Sequence, residues 1–384
     1  MWNYHNPSKI IFKTGFLDNL KSLALIPKKK YCIFTYPDKI FKDQVKKITD
    51  VLGAPLLIVD EISPNPDYKN LEVIAKKYQN ISSENKQIIC LGGGSVIDSA
   101  KFISFGLGDF NYTVDFLEKK NEYVKKNHPD LISIPTTAGT GSELTSWATI
   151  WDGANQKKYS LAHECLYSKM SIFDSNLMLT LPKKITLEPG LDAMSHAFES
   201  IWNINSNPLS NTYAIKAIKI IMEFLPQVLK EPTNIKYREM LTMGSMYAGL
   251  AFSNTKTAIS HNISYPITLK HGVPHGIACS FTLPTVLKSV IGIDKVCDDN
   301  FRTLFGQDLE QGPKILKDFF KSIDISIDPK SYIGSSNEWN LIVSEAFEGE
   351  RGKNFIGNLA FKSNNNTYLP IVTKTGKEII LKIK

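Results

Sequence analysis

Asp192 and His196 stand four residues apart in the stretch PGLDAMSHAFES, so a helix there puts both on one face. His261 and His275 follow, fourteen apart, and four of the seven histidines fall between 196 and 275. One carboxylate and three imidazoles suit a borderline divalent ion, Fe(II) or Zn(II). An Asp/His pair at this spacing is also a common surface pair, and nothing local makes the downstream histidines converge on it. His271, four residues before His275, reads either as a substrate contact, the one catalytic candidate outside the ligand set, or as a solvated loop residue. His5, His128 and His163 read as structural or surface residues.

A second kind of chemistry is suggested by glycine. The apolar run QIICL leads straight into Gly92-Gly93-Gly94-Ser95 and then VIDSAKFI, a helical pattern. Glycines let a backbone approach a ligand closely, and a helix N-terminus offers free N–H groups to an anion such as a pyrophosphate. The string is not G-x-G-x-x-G, and a tight strand-to-helix turn would look the same. A further loop, Pro135 to Glu143 (PTTAGTGSE), follows the next apolar run and offers hydroxyls and flexible backbone. In open α/β sheets ligands bind beyond the carboxyl ends of strands, where both loops would lie. Two such loops on neighbouring strands favour a nucleotide over an ordinary turn.

The elements that must position these groups can be read from the same pattern. YCIFT (31–35), LLIVD (56–60), QIICL (87–91) and LISIP (131–135) are short β-rich runs, separated by helical stretches such as 67–78 and 95–105. Strands spaced by helical crossovers predict a parallel, doubly wound sheet. From Thr186 the apolar spacing becomes helical over 185–201, 209–225, 237–252, 276–291 and 315–323. Glu188-Pro189-Gly190-Leu191 reads as a turn, with a helix starting near Leu191. The expected organisation is an α/β dinucleotide-binding domain over 1–181 and an all-helical metal and substrate domain over 182–384. SNNN at 363–366 reads as a polar break, and the tail beyond it as a β-hairpin around Thr375-Gly376.

A chain of 384 residues has material for two domains, and a hydrophobic content of 42% with 22% charged residues excludes a disordered chain. No apolar run approaches the ~20 residues of a membrane helix. The opening MWNYHNPSKIIFKTG has no apolar core of a secretory signal. The net charge of +7 is mild and its lysines are scattered, which argues for solvated faces and against a nucleic-acid partner. The five cysteines, Cys32, Cys90, Cys165, Cys279 and Cys297, include no C-x-x-C; Cys32, Cys90 and Cys279 sit in apolar runs and read as buried thiols. A reducing cytoplasm is the natural setting.

Four motifs in this order and spacing, GGGSVIDSAK, PTTAGTGSE, PGLDAMSHAFES and HNISYPITLKHGVPHG, resemble the iron-containing (group III) alcohol dehydrogenases. The resemblance covers about residues 4 to 360. It implies a dinucleotide-binding domain, a helical domain, and an active site in the cleft between them. It implies that Asp192, His196, His261 and His275 hold the metal. It also implies that Gly93, Gly94 and Ser95 hold the pyrophosphate of NADH or NADPH. Asn65, Asp98, Thr136, Thr137, Thr140, Thr145 and Lys158 match further positions of the cofactor site. Within the family the chain is most similar to the phosphonoacetaldehyde reductases, through its opening segment and the stretches ATIWDGANQKKYSL, ESIWNINSNPLSNTYAIKAI and ISYPITLKHGVPHGIAC. The implied reaction is metal-assisted hydride transfer between a nicotinamide and a small aldehyde, with a homodimer left open.

The chain departs from the family at two places. Where many members carry an acidic residue for the adenosine ribose, it has Thr35-Tyr36, which points to acceptance of NADPH as well as NADH. Where many have a second histidine four residues after the third ligand, it has Tyr265. The basic pair Lys270-His271 beside the ligand His275 is the expected contact for a phosphonate. Alternatives are a general small primary alcohol or diol dehydrogenase and a dehydroquinate-synthase-like lyase that recycles its nicotinamide. A non-catalytic descendant is disfavoured, because all four ligand positions hold competent residues.

Overall fold

A computed structural model of the protein describes residues 1–81, 87–155, 157–359, 370–372 and 378–380. The chain divides into two compact units, one of residues 6–179, the other of 180–384 together with the first five residues.

The first unit carries strands β1 (Lys9–Phe12), β2 (Tyr31–Phe34), β3 (Leu57–Val59), β4 (Gln87–Gly92), β5 (Asp130–Pro135), β6 (Trp147–Asp152), β7 (Lys157–Ala162) and β8 (Met170–Phe173). Between them run α1 (Leu20–Leu23), α2 (Lys39–Leu52), α3 (Tyr68–Gln79), α4 (Gly94–Gly106) and α5 (Phe110–Leu117). Six strands form a parallel sheet in the order β1-β8-β5-β4-β2-β3, and β6 and β7 form a separate antiparallel pair. Alternate residues of each central strand serve opposite cores. Cys32, Phe34, Ile88 and Cys90 join Leu71, Ile74, Val96 and Ile97 of α3 and α4 on one face. Ile33, Ile89, Leu91 and Ile132 join Val45 and Ile48 of α2 on the other. Burial on both faces explains why the strands read as unbroken apolar runs. Because β3 lies on one side of β2 and β4 on the other, the strand order reverses between β2 and β4. The carboxyl end of that crevice is a ligand position of open α/β sheets.

The second unit contains α6 (Lys183–Ile201), α7 (Pro208–Lys230), α8 (Ile235–Thr255), α9 (Ile259–His271), α10 (His275–Ser280), α11 (Leu283–Val290), α12 (Lys295–Phe305), α13 (Gly312–Ser322) and α14 (Ser336–Glu348). It is not wholly helical: β9 (Asn358–Leu359), β10 (Pro370–Val372) and β11 (Glu378–Ile380) form an antiparallel sheet. β10 and β11 are the arms of the expected terminal hairpin, paired from Pro370↔Ile380 to Val372↔Glu378. Its expected turn at Thr375-Gly376 and the 363–366 break lie outside the described residues.

Two local expectations are corrected. Glu188 to Leu191 is no turn; Pro189 lies inside the continuous helix α6, whose following residues from Gly190 to Ile201 are buried. Packing of that face outweighs the hydrogen bond that proline cannot donate. The stretch 276–291 is two helices, because Pro284 has no N–H to continue α10 and instead occupies the first turn of α11. Among the described residues no helix is long and apolar enough to cross a membrane.

Candidate active site

In the first unit the two polar loops meet. Gly93 is the N-cap of α4 with no side-chain cap, so the first N–H groups of that helix face outward. A Cβ on Gly94 would stand 2.7 Å from Thr140 Oγ1 and 2.8 Å from its Cγ2, so only glycine permits this approach. Gly93 similarly faces Thr137. The Thr136 N–H donates to the Gly92 carbonyl at 3.1 Å, and the Asn65 N–H donates to Ser95 Oγ at 3.1 Å. Gly93, Gly94, Ser95, Asn65, Thr136, Thr137 and Thr140 are thus gathered at the ends of β4 and β5. Lys158, on β7, extends over the Trp151 ring at 5.2 Å.

Asp98 and Thr145 are engaged in shaping the loop. Asp98 accepts from Ser142 Oγ and, at 2.9 Å, from the Thr149 N–H. Sequence reasoning missed Lys101, which is fully buried. Its Nζ donates to the carbonyls of Ser142 at 2.6 Å, Thr145 at 2.8 Å and Trp147 at 2.8 Å. Burial lowers the Lys101 ammonium to about 8, with Asp98 and Glu143 opposing. Burial likewise raises the Glu143 carboxyl to about 7. The available signal was a lysine three residues after Asp98 on an otherwise apolar helix.

In the second unit, four side chains close on one oxygen. Asp192 Oδ1 lies 3.2 Å from His261 Nε2, 3.5 Å from His196 Nε2, 3.8 Å from His275 Nε2 and 3.6 Å from Cys279 Sγ. The donor atoms of Asp192, His261, His275 and Cys279 all lie within 4.8 Å of one another. His196 adjoins this group, stacked between the rings of Phe252, at 3.9 Å, and His261, at 4.7 Å. Burial alone would raise the Asp192 carboxyl, but the surrounding imidazoles of His196, His261 and His275 hold it far below the usual range. An ionised carboxylate beside imidazole nitrogens fits a borderline divalent ion.

The sequence reading also missed Glu199, three residues beyond His196 and on the same face of α6. Its fully buried carboxylate accepts from the N–H groups of Ala258, Ser260 and His261, and from His261 Nδ1 at 2.7 Å. A carboxylate acceptor for Nδ1–H would leave Nε2 to offer its lone pair to an ion beside Asp192, the tautomer a metal ligand needs. Cys279, read as a buried thiol and found buried, is brought in by α10, where it lies four residues after His275. Gly276 seats that helix: a Cβ there would lie 1.8 Å from the Glu188 carbonyl oxygen.

His271 has a different neighbour from the expected substrate. It ends α9 with Nε2 3.0 Å from the Glu338 carboxylate and is not among the groups around Asp192. His128 bonds Tyr123 and the Ser104 carbonyl, and His163 accepts from the Cys165 N–H, as structural residues do.

Residues 7–175 match the iron-containing alcohol dehydrogenase family, and residues 186–326 match the Fe-containing alcohol dehydrogenase family, C-terminal. A long-chain primary alcohol dehydrogenase of Thermoanaerobacter ethanolicus is 30% identical over 249 residues, which are 65% of this chain and 62% of the relative. The probable alcohol dehydrogenase EutG of Escherichia coli K12 is 34% identical over 201 residues, 52% of this chain and 50% of that one. The matched stretches therefore span less than two thirds of either relative. A crystal structure of sulfoacetaldehyde reductase from Bifidobacterium kashiwanohense in complex with NAD+ is similar at a TM-score of 0.84 and 25% identity, covering 92% of this chain and 94% of that one. With both halves matched in order, the chain belongs to the iron-containing alcohol dehydrogenase family.

Proposed function

We propose that the protein is a metal-dependent NAD(P)(H) oxidoreductase that interconverts a primary alcohol and an aldehyde, and that it reduces phosphonoacetaldehyde to 2-hydroxyethylphosphonate. The observation that carries the oxidoreductase reading is the closure of three imidazole nitrogens on Asp192 Oδ1, at 3.2–3.8 Å. An Fe(II) or Zn(II) ion held by Asp192, His196, His261 and His275 would supply Lewis-acid polarisation of the carbonyl, and a nicotinamide would supply the hydride.

The chain's own residues prepare for both. Glu199 keeps a proton on His261 Nδ1, and Ser264 Oγ, 3.4 Å from His275 Nδ1, orients the second imidazole. Asp192 stays ionised beside them. The outward N–H groups of Gly94 and Ser95 suit a pyrophosphate at the start of α4.

The anionic substrate is favoured by the likeness to a reductase of sulfoacetaldehyde, a two-carbon aldehyde with a tetrahedral oxyanion. A general primary alcohol substrate is the second reading, favoured by the T. ethanolicus relative. The test reconstitutes the protein with Fe(II) or Zn(II) and follows NADH and NADPH absorbance with phosphonoacetaldehyde and propionaldehyde. Faster consumption with the phosphonate is expected. Equal efficiency supports the general dehydrogenase, and turnover without net change in NAD(P)H supports the lyase chemistry.

A further inference from the structure

An aldehyde with a tetrahedral anion needs a cation near the metal group, on the side from which substrate enters. His275 marks that side. Its side chain is 32% exposed, against 9% for Asp192, 6% for His196 and 3% for His261. The ring of Tyr265 stacks on His275, with centroids 5.9 Å apart and planes at 9°. Over the Tyr265 ring, 5.0 Å from its centroid, lies the guanidinium of Arg351.

The composition singles this residue out. Of 45 basic residues only three are arginines, Arg238, Arg302 and Arg351. Arg238 has its nitrogens on Pro232 O, Thr186 Oγ1 and Leu181 O. Arg302 makes a surface pair with Asp299 three residues away. Arg351 uses Nε on Thr257 Oγ1 at 2.9 Å, and among the described residues no carboxylate pairs with it. A chain that otherwise uses lysine keeps here the planar fork that matches an oxyanion at two points.

We infer that Arg351 binds the phosphonate or sulfonate of the substrate, with Tyr265 as the platform that holds its guanidinium toward His275. The inference rests on the proposed anionic aldehyde. The two ring-to-ring and ring-to-cation steps bound the separation of His275 and the guanidinium from above, and a two-carbon aldehyde would have to span it with its carbonyl toward His275 and its anion toward Arg351. Thr257 fixes the near side of the guanidinium, and the Thr257 carbonyl in turn accepts from Asn354 Nδ2 at 2.8 Å. The next residue, Ala258, bonds Glu199, so the anion site and the metal site share one backbone support.

The test measures kcat/KM for phosphonoacetaldehyde, sulfoacetaldehyde, succinic semialdehyde and propionaldehyde in the metal-loaded protein and in its Arg351→Ala and Arg351→Lys variants. Thermal melting and metal content check that each variant folds and loads. The ratio of anionic to neutral substrate efficiency should fall about a hundredfold in Arg351→Ala, through KM. Arg351→Lys should recover part of it, because the fork is lost but not the charge. An unchanged ratio in Arg351→Ala, whether total activity holds or falls, makes Arg351 a strut of α9 and overturns the inference while the anionic substrate stands. A wild-type enzyme with no preference for the anions overturns both.

Discussion

The two chemical regions are stiffened by opposite charges. In the helical unit a buried carboxylate, Glu199, collects N–H donors from the start of α9. In the N-terminal unit a buried ammonium, Lys101, collects carbonyls from the 142–147 loop. The difference follows from what each region must present. A metal site presents lone pairs, so its support takes up the N–H groups on the far side of the ligands. On the other side the start of α4, proposed for a pyrophosphate, presents N–H groups, and Lys101 of the same helix takes up the carbonyls of the neighbouring 142–147 loop. Each charge is satisfied several times over, as a buried charge must be.

Removing a ligand should have the largest effect and tests the helical side directly. His261→Ala leaves Asp192 without its nearest imidazole and Glu199 without its charge partner. Loss of an oxyanion-type stabiliser costs on the order of 10²–10³ in rate, and metal content should fall with it. A His261→Ala protein with full iron or zinc and full activity would remove His261 from the ligand set.

Glu199→Gln keeps the shape but loses the acceptor pair that fixes the His261 tautomer. Metal affinity should fall about 10- to 100-fold, with the ligands themselves intact. Competition with a chelator checks this; unaltered affinity would make Glu199 a support of α9 alone. The helical site was legible in the sequence to the extent that ligand types announce themselves. Asp192 and His196 show their common face by spacing. Glu199 does not, because a glutamate on a helix is ordinarily a solvated residue, and only the three N–H groups folded over it change its meaning. The turn expected at Pro189-Gly190 failed for a related reason: local breaker chemistry is weak against a buried helix face. β2 to β5 were readable almost to the residue as apolar runs, whereas β1 and β8 of the same sheet and the β6–β7 pair were not read. Lys101 was not, since its partners are carbonyls of a loop more than forty residues away.

The loop side has its own signature in pH. Glu143 has a folded-state pKa near 7 against 4.5 for the free group, because burial disfavours its charge. Between those values the folded chain holds a proton that the unfolded chain has lost. Stability must therefore fall as pH rises from 4.5 to 7. Glu143→Gln mimics the protonated form and should remove that slope. The variant should be the more stable one above pH 7, on the order of 1–3 kcal/mol, with the gain vanishing below pH 4.5. Melting curves of both proteins across this range decide it; parallel profiles would place the Glu143 charge outside the loop's energetics.

The smallest effect concerns cofactor choice beside the glycine loop. Tyr36 follows β2 at the crevice between β2 and β4, half-buried and edge-on to Phe41 at 5.3 Å. Burial raises its phenol above the usual range, so the position presents a neutral ring where an acidic residue would chelate the ribose diol and repel a 2′-phosphate. NADPH should accordingly be used at least comparably with NADH. Tyr36→Asp places a carboxylate just before α2, whose first N–H groups favour a negative charge. It should shift the NADH-to-NADPH ratio of kcat/KM roughly tenfold toward NADH, mainly by raising KM for NADPH. Because the aromatic contact with Phe41 is lost as well, Tyr36→Asn serves as the uncharged comparison and should shift the ratio far less. Equal shifts in the two variants would assign the effect to packing, and an unmodified enzyme hundreds-fold selective for NADH would end the reading of this position.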